Sequence, residues 1–431
     1  MHPKSPLLLV MLLLAPSTAG AHIGLQPDGI DMVHPPGGGT PLDFESTFAL
    51  FRSDDGEEWS LTCHEALLLD PMNPSNQLPR YARSDDALLV TLRSLGLGFS
   101  PDVDVYYSTD GGCDWTATQG LTNRTVAALA VLADGSTVVA GSADQDVDNG
   151  LFYSLDGADF DDSDAVAIDG LVLSVEPGPD GVAWATSLSP TSASVWRSLD
   201  GGATWESHDF LFPEGGALQD FVLPMAHPTD PLIAWVRAQD ASQDYVYRTL
   251  DGGETFDEVY RGSLRVTDGV VCGAQTVLTR AGGSPLASAD AGETFAIEED
   301  WPSSQGAACV DGSVTFALNV TEDDTVAQIV DGAPAYLMGY GDVVSEMSCP
   351  AGSRHAQVCG PLWEAACQVL DLYREDRICS SGDDDDDSVS DDDDPGDDDD
   401  CACSAPATDT PAAASLLALG LGLGLARRRR S

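Results

Sequence analysis

The chain has 431 residues, 43% of them apolar, with 43 glycines and 26 prolines, which suits one large domain of short strands and turns with tails to spare. Its net charge is −52, and the three Asp runs between Asp383 and Asp400 carry 13 of those charges, leaving about −39 elsewhere. So acidic a surface excludes nucleic acid, whose phosphates require clustered Lys and Arg, and disfavours docking on anionic lipid.

The first element is an export signal. Lys4, the only lysine, precedes the apolar run Leu7–Leu14; Pro16 breaks it, and Ala19-Gly20-Ala21 supplies the small residues of a cleavage site. Residues 1–21 are predicted to be a secretory signal cut after Ala21, since the run is short for a membrane span.

Residues 22–345 repeat one pattern, Ser/Thr-x-Asp-x-Gly-x-x-aromatic. Full copies hold Ser108, Asp110, Gly112 and Trp115; Ser198, Asp200, Gly202 and Trp205; Thr249, Asp251, Gly253 and Phe256; and Ser288, Asp290, Gly292 and Phe295. Copies one residue shorter hold Ser53, Asp55 and Trp59, and Ser154, Asp156 and Phe160. Their first positions step by roughly 40–55 residues, the length of one four-stranded propeller blade. The pattern suits a hairpin turn in which the hydroxyl and the carboxylate take backbone N–H groups, Gly takes the positive φ, and the aromatic packs between blades. A seventh unit without the pattern fits the β-rich runs 307–310, 314–318, 326–329 and 335–337, with a turn at Asp331-Gly332. The expected fold is an all-β propeller of four-stranded antiparallel blades, seven by this count, with six as the alternative.

These copies resemble the Asp-box, or bacterial neuraminidase, repeat of sialidases, xyloglucan-degrading glycosidases, sortilin-type receptors and photosystem assembly factors, over about residues 25–345. The segment from His227 through Asp230 and Pro231 resembles the linker after the inner strand in the sortilin and xyloglucanase branch. The resemblance implies that the boxes lie on the rim, far from a central ligand site, so that their Asp residues build turns and supply no catalysis. The Arg-Ile-Pro signature of sialidases is absent. Arg52, Arg197 and Arg248 each precede a box and belong to a repeating strand position, whereas Arg93, Arg237 and Arg280 follow inner-half strands and are the candidates for a pocket. No catalytic residue is assigned.

Ten cysteines in an exported chain suggest disulfides. Cys63 and Cys113, beside the first two boxes, are expected to pair, as are Cys272 and Cys309 at matching strand ends. Cys349, Cys359, Cys367 and Cys379 surround Trp363 in a predicted Cys-rich cap over 346–379. No Cys-x-x-Cys pair is present, so no metal site is assigned. The stretch Asp144 to Gly150 superficially resembles a calcium loop, but its Gly is one place late and Leu155 stands at position twelve; a polar hairpin loop is expected, with Ca²⁺ the only cofactor the sequence suggests.

Residues 380–400, nearly all Asp, Ser and Gly, read as an extended acidic stalk. The tail, 401–431, holds Cys401 and Cys403, an apolar stretch Ala412–Ala426 and the cluster Arg427–Arg430. It resembles the C-terminal sorting signal of myxobacteria and their relatives, which implies a short transmembrane segment, processing or lipidation near Cys401 or Cys403, and a final place on the cell surface or outer membrane. A permanent tail anchor is the alternative. Two functions follow: a non-catalytic surface binding or scaffold propeller for an extracellular glycan or protein, monomeric, touching membrane only through its tail; or a secreted glycosidase of sialidase or xyloglucanase type.

Overall fold

The computed structural model of the chain describes residues 29–34, 41–46, 49–56, 58–67, 77–94, 105–121, 124–144, 148–160, 166–213, 217–318, 324–339, 343–360 and 363. Seven sheets form from consecutive hairpins, six of four antiparallel strands and the first with a fifth strand added. The chain is therefore a seven-bladed β-propeller, and the count of seven rather than six is correct. The innermost strands of blades 1 to 7 are Gly29–Val33, Gln77–Arg83, Val126–Val131, Leu171–Pro177, Asp220–Ala226, Val266–Cys272 and Ser304–Val310. The patternless seventh unit forms blade 7, whose outer strand is Ala333–Gly339.

The blades pack face to face, so apolar residues gather between neighbouring sheets and no single core exists. Each of the seven junctions holds its own cluster. Between blades 4 and 5 the rings of Phe210, Phe221, Tyr247 and Phe256 meet with centroids 4.7–5.3 Å apart; each buried aromatic contributes on the order of 2–3 kcal/mol.

All six repeated turns join the third strand of a blade to its chain continuation at the outer side, away from the inner strands. In the turn of blade 4, Gly202 N–H donates to Ser198 Oγ (2.8 Å), Ser198 Oγ–H to Asp200 Oδ1 (2.9 Å), and Thr204 N–H to the same carboxylate (2.8 Å). The other five repeat the first two bonds and a third from the residue before the aromatic. Where that residue is Thr, as at Thr204, Thr255 and Thr294, its hydroxyl adds a fourth bond of 2.6 Å. The aromatics pack onto the junction with the preceding blade: Trp59 between 7 and 1, Trp115 between 1 and 2, Phe160 between 2 and 3, Trp205 between 3 and 4, Phe256 between 4 and 5, Phe295 between 5 and 6.

Slight burial works to raise the Asp200 pKa, but the bonds from Thr204 and Ser198 outweigh it and hold the carboxylate below its ordinary value. A depressed folded pKa gives stability that is present above the unfolded value near 4 and is lost as pH falls through the folded one. Asp200→Ala is expected to lower stability by about 2 kcal/mol, the net worth of its few hydrogen bonds. Thermal melts check this: the deficit should stand at pH 7 and close as pH falls through the depressed folded value.

Arginines tie successive turns together. Arg52 Nη1 donates to the Gly111 carbonyl of the next turn (3.0 Å), and Arg248 Nη1 to that of Ala291 (2.9 Å). Arg197 lies over the Trp184 ring and against Gly252, the corresponding residue of the turn in blade 5. The repeating position expected of these three arginines is a latch between blades.

Two expectations for the cysteines need correction. Cys63 does not pair with Cys113: Cys63 bonds Cys359 and Cys113 bonds Cys349. Nor do Cys349 and Cys359 staple a separate cap. After blade 7 the chain adds Val343–Glu346 as a fifth strand parallel to the outer strand of blade 1, Trp59–Cys63, and a short helix Arg354–Val358 follows. This strap lies across blades 1 and 2, and Val343, Cys359 and Trp363 enter the core between blades 7 and 1. Proximity in sequence between boxes does not bring Cys63 and Cys113 together because the returning strap takes both partners. Cys272 and Cys309 are bonded to each other, joining the inner strands of blades 6 and 7. Cys367, Cys379, Cys401, Cys403, the cleavage site at Ala21, the stalk and the tail lie outside the described residues. Among the described residues no helix is long and apolar enough to cross a membrane.

Candidate functional site

The inner strands enclose a central channel of about 640 Å³. Aliphatic residues such as Met32, Val131, Met225 and Val271 share its wall with His34 and Arg83, and it carries four acidic residues from four blades: Asp31, Glu176 and Asp268, and the exposed Asp311.

The strands aim these groups through a shared irregularity. In every blade but the second the inner strand slips register by one residue against its neighbour, and in blades 1, 4, 6 and 7 the residues after the slip are Asp31, Ser174, Asp268 and Gly306. Such bulges bend a strand and re-aim a side chain. Ser174 Oγ accepts from Leu223 N–H of blade 5 (2.7 Å), and Asp268 Oδ2 from Ala307 N–H of blade 7 (2.9 Å). At Gly306 a side chain would strike the backbone of Ile30 and Asp31, so the ring closes tightly there. Glu176 stands two residues beyond Ser174, and Asp31 Oδ1 accepts from the amide of Met32 (2.8 Å).

Burial raises Asp31, Glu176 and Asp268. It lifts Glu176 well above its ordinary value, with Asp268 and then Asp31 adding repulsion. It lifts Asp268 likewise, with Asp31 adding to the rise, and it raises Asp31 against the pull of Arg80, the Met32 amide and His34. Beside them Glu45, fully buried on the second strand of blade 1, is pushed up by burial to about 8, although Arg80 lies 3.6 Å away. Burial thus favours the protonated form of each, and the charge of Asp31 acts on both Asp268 and Glu176 across the channel. A raised carboxyl keeps in the folded state a proton that the unfolded chain releases, so its stability contribution is full below about pH 4.5 and lost as pH rises through the folded value. Glu176→Gln should therefore leave stability unchanged at pH 4 and raise it at pH 8, in denaturant titrations run at both.

Two of the three arginines expected in the pocket are elsewhere. Arg237 is 1% exposed, bonded to Asp220 and donating to the Val266 carbonyl (2.6 Å), with Asp244 3.9 Å from Nε; it binds blade 5 to blade 6. Arg280 is buried and donates through Nε to the Ser284 carbonyl (2.8 Å). The side chain of Arg93 lies outside the described residues. Arg83 reaches the channel wall but is bonded to buried Asp43 of blade 1. His227, in the linker-like segment, stacks on Trp235 and accepts from the Asp230 amide (3.1 Å), in a turn that leads into the second strand of blade 5, Ala234–Gln239.

The calcium-like stretch is a hairpin fastening: Asp144 Oδ1 accepts from Thr125 N–H (2.8 Å), and Asn149 bonds both backbone groups of Asp144. Among the described residues no group of three or more His, Cys, Asp or Glu could hold a metal.

Sequence reasoning missed Asp31, Glu176 and Asp268 because the chain has 71 acidic residues. Their signal was a lone carboxylate within an otherwise apolar run, as in Gly29–Val33, Leu171–Pro177 and Val266–Cys272. A charge so placed is expensive unless it faces a cavity or a partner.

No protein-family model matches the chain, and no curated protein matches it in sequence. Among solved structures it is similar to an ancestral GH74 enzyme, with a TM-score of 0.51 at 14% identity, over 72% of this chain and 46% of that one. It is similar to a puromycin-hydrolyzing peptidase of Mycobacterium tuberculosis, with a TM-score of 0.50 at 11% identity, over 77% and 55%. It is also similar to YCF48 bound to D1 peptide, with a TM-score of 0.45 at 16% identity, over 68% and 90%. The chain spans about half the length of the first two. At such identities the first two likenesses speak for the propeller fold alone.

Proposed function

We propose that this chain is an exported, surface-displayed binding propeller that takes an extracellular ligand, glycan or protein, at its central channel and turns over no glycoside. The observation that carries this reading is the common direction of the channel carboxyls. A glycosidase needs one carboxyl protonated and its partner ionised, which calls for environments that push the two pKa values apart. Here burial pushes Asp31, Glu176 and Asp268 the same way, with Asp268 and Asp31 adding repulsion on Glu176 and Asp31 adding it on Asp268. Protonated carboxyls in the channel offer hydrogen bonds to hydroxyls, and ionised ones would attract a basic group. The repeated turns spend their Asp residues on backbone amides, in keeping with a scaffold role. Export by the signal at 1–21, the acidic stalk and the sorting-type tail complete the reading, with Cys401 or Cys403 as the point of processing or lipidation.

Hydrolysis is the second reading, favoured by one observation: four carboxyls from different blades share a single channel. A glycan array and a fluorogenic glycoside panel on the whole chain separate the two. Binding without turnover is expected, weakened about tenfold by Glu176→Ala, the loss of roughly one hydrogen bond. Asp200→Ala should bind as the wild type does at temperatures where it is folded. Turnover near or above about 1 s⁻¹, within the ordinary enzyme range, would overturn the binding reading in favour of hydrolysis.

A further inference from the structure

Of the three disulfides among the described residues, two are enclosed or held rigidly. Cys63 and Cys359 are buried beneath the strap, 7% and 2% exposed. Cys272 and Cys309 both stand in the ladders of inner strands, Val266–Cys272 and Ser304–Val310. Cys113–Cys349 has different surroundings. Cys113 lies on the wall of an open notch of about 610 Å³ between the turns of blades 1 and 2, which Ser345, Met347 and Ser348 of the strap also line. Cys349 is half-buried between the exposed Ser348 and Pro350, and the stretch 347–350 belongs to no strand or helix. The notch is acidic: Asp54, Asp55, Glu58 and Asp110 line it against Arg52 alone, and Asp54 and Glu58 are exposed.

We propose that Cys113–Cys349 is a thiol-exchange site, opened preferentially by small thiols that are neutral or carry a cation. Exchange needs a thiolate that can reach one sulfur in line with the bond, and it proceeds through a mixed disulfide. The thiolate attacks Sγ of Cys349, since Cys113 is only 4% exposed. The S–S bond breaks, and Cys113 leaves with the electron pair and takes a proton from water. A second thiolate then attacks the outer sulfur of the mixed disulfide. That frees Cys349 and releases the reductant as its own disulfide, the two thiols having supplied both electrons. Completion requires Cys349 to move away, because two cysteines held face to face reclose their bond before the second thiol arrives. The irregular strap permits this movement, whereas the ladders around Cys272 and Cys309 oppose it. Four carboxylates against one guanidinium repel an approaching anion and favour a cation. Opening detaches the strap from blade 2 at this bond, while Cys63–Cys359 keeps it on blade 1.

The test treats the full chain, folded in a non-ionic detergent, with cysteamine, 2-mercaptoethanol or glutathione at equal thiolate concentration. Each rate is taken relative to that thiol's rate on an uncharged model disulfide, and alkylation with peptide mapping follows every cysteine. Cys113 and Cys349 should open first, with the thiol captured on Cys349. Cysteamine should lead glutathione by about tenfold at low salt, a gap that closes in about 1 M salt, where the screening length is about 3 Å. An Asp54→Asn/Glu58→Gln variant, altered only at exposed side chains, should narrow the low-salt gap several-fold. Opening of Cys63–Cys359 or Cys272–Cys309 as fast as Cys113–Cys349 would assign the reaction to unfolding of the whole domain. That result, rates that ignore the charge of the thiol, or a gap that the double variant leaves unchanged would each overturn the proposal.

Discussion

Replacing Cys63 and Cys359 together by serine is expected to lower the stability of the domain by about 4 kcal/mol. The bond joins residues 296 apart, but the Cys113–Cys349 bond, 236 apart, already closes most of that span. The ring that Cys63–Cys359 adds therefore holds only about 60 residues, and the entropy removed from the unfolded chain grows with the logarithm of that size. The Cys272–Cys309 bond closes a separation of 37 residues and should be worth about 4 kcal/mol on the same basis. Scanning calorimetry without reductant, on the two double serine variants and the wild type, should therefore show similar losses in both. A Cys63/Cys359 variant as stable as the wild type, or a Cys63 that maps to a peptide containing Cys113, would sink the strap as described.

Arg237→Ala should cost about 3–5 kcal/mol, the range for breaking a buried ion pair from one side. The guanidinium is engaged by Asp220 and the Val266 carbonyl, with Asp244 behind it. Burial works to lower the Arg237 pKa, and the carboxylates of Asp220 and Asp244 oppose it. Removing the cation strands Asp244, whose side chain is 1% exposed and whose pKa burial already raises. Asp244→Asn in the Arg237→Ala background should recover part of the loss, because it removes the uncompensated charge. Urea titrations of the wild type, the single and the double variants measure this. An Arg237→Ala protein of normal stability but altered ligand binding would restore the channel role that the sequence suggested.

That suggestion shows where sequence reading stops. The turns were legible because Ser, Asp and Gly at fixed offsets satisfy the backbone locally, and their spacing announces the blades. The latch arginines were legible as a repeat, though not their partners, since Arg52 reaches 59 residues onward to Gly111. Arg237 was misplaced because the end of a second strand can face the channel or the next blade, and only the packing of Asp220 and Asp244 decides. The channel carboxyls went unseen because the one-residue slips that aim them follow from pairing with a neighbouring strand. The strap was hidden by distance: nothing near Cys63 in sequence points to Cys359.

The strap also decides how the molecule answers to tension. If the stalk tethers the domain at its C-terminal side, a pull arriving from the surface meets Cys359 first and passes through its bond into blade 1. Everything from residue 64 to residue 358 lies inside a covalent loop and is bypassed by that pull. Blade 7, next to the tether in sequence and otherwise the first to peel away, is spared while the bond is oxidised. In a reducing medium the same pull would fall on the short parallel strand Val343–Glu346 and then on blade 7 itself, so the ring would unravel from the end it hangs by.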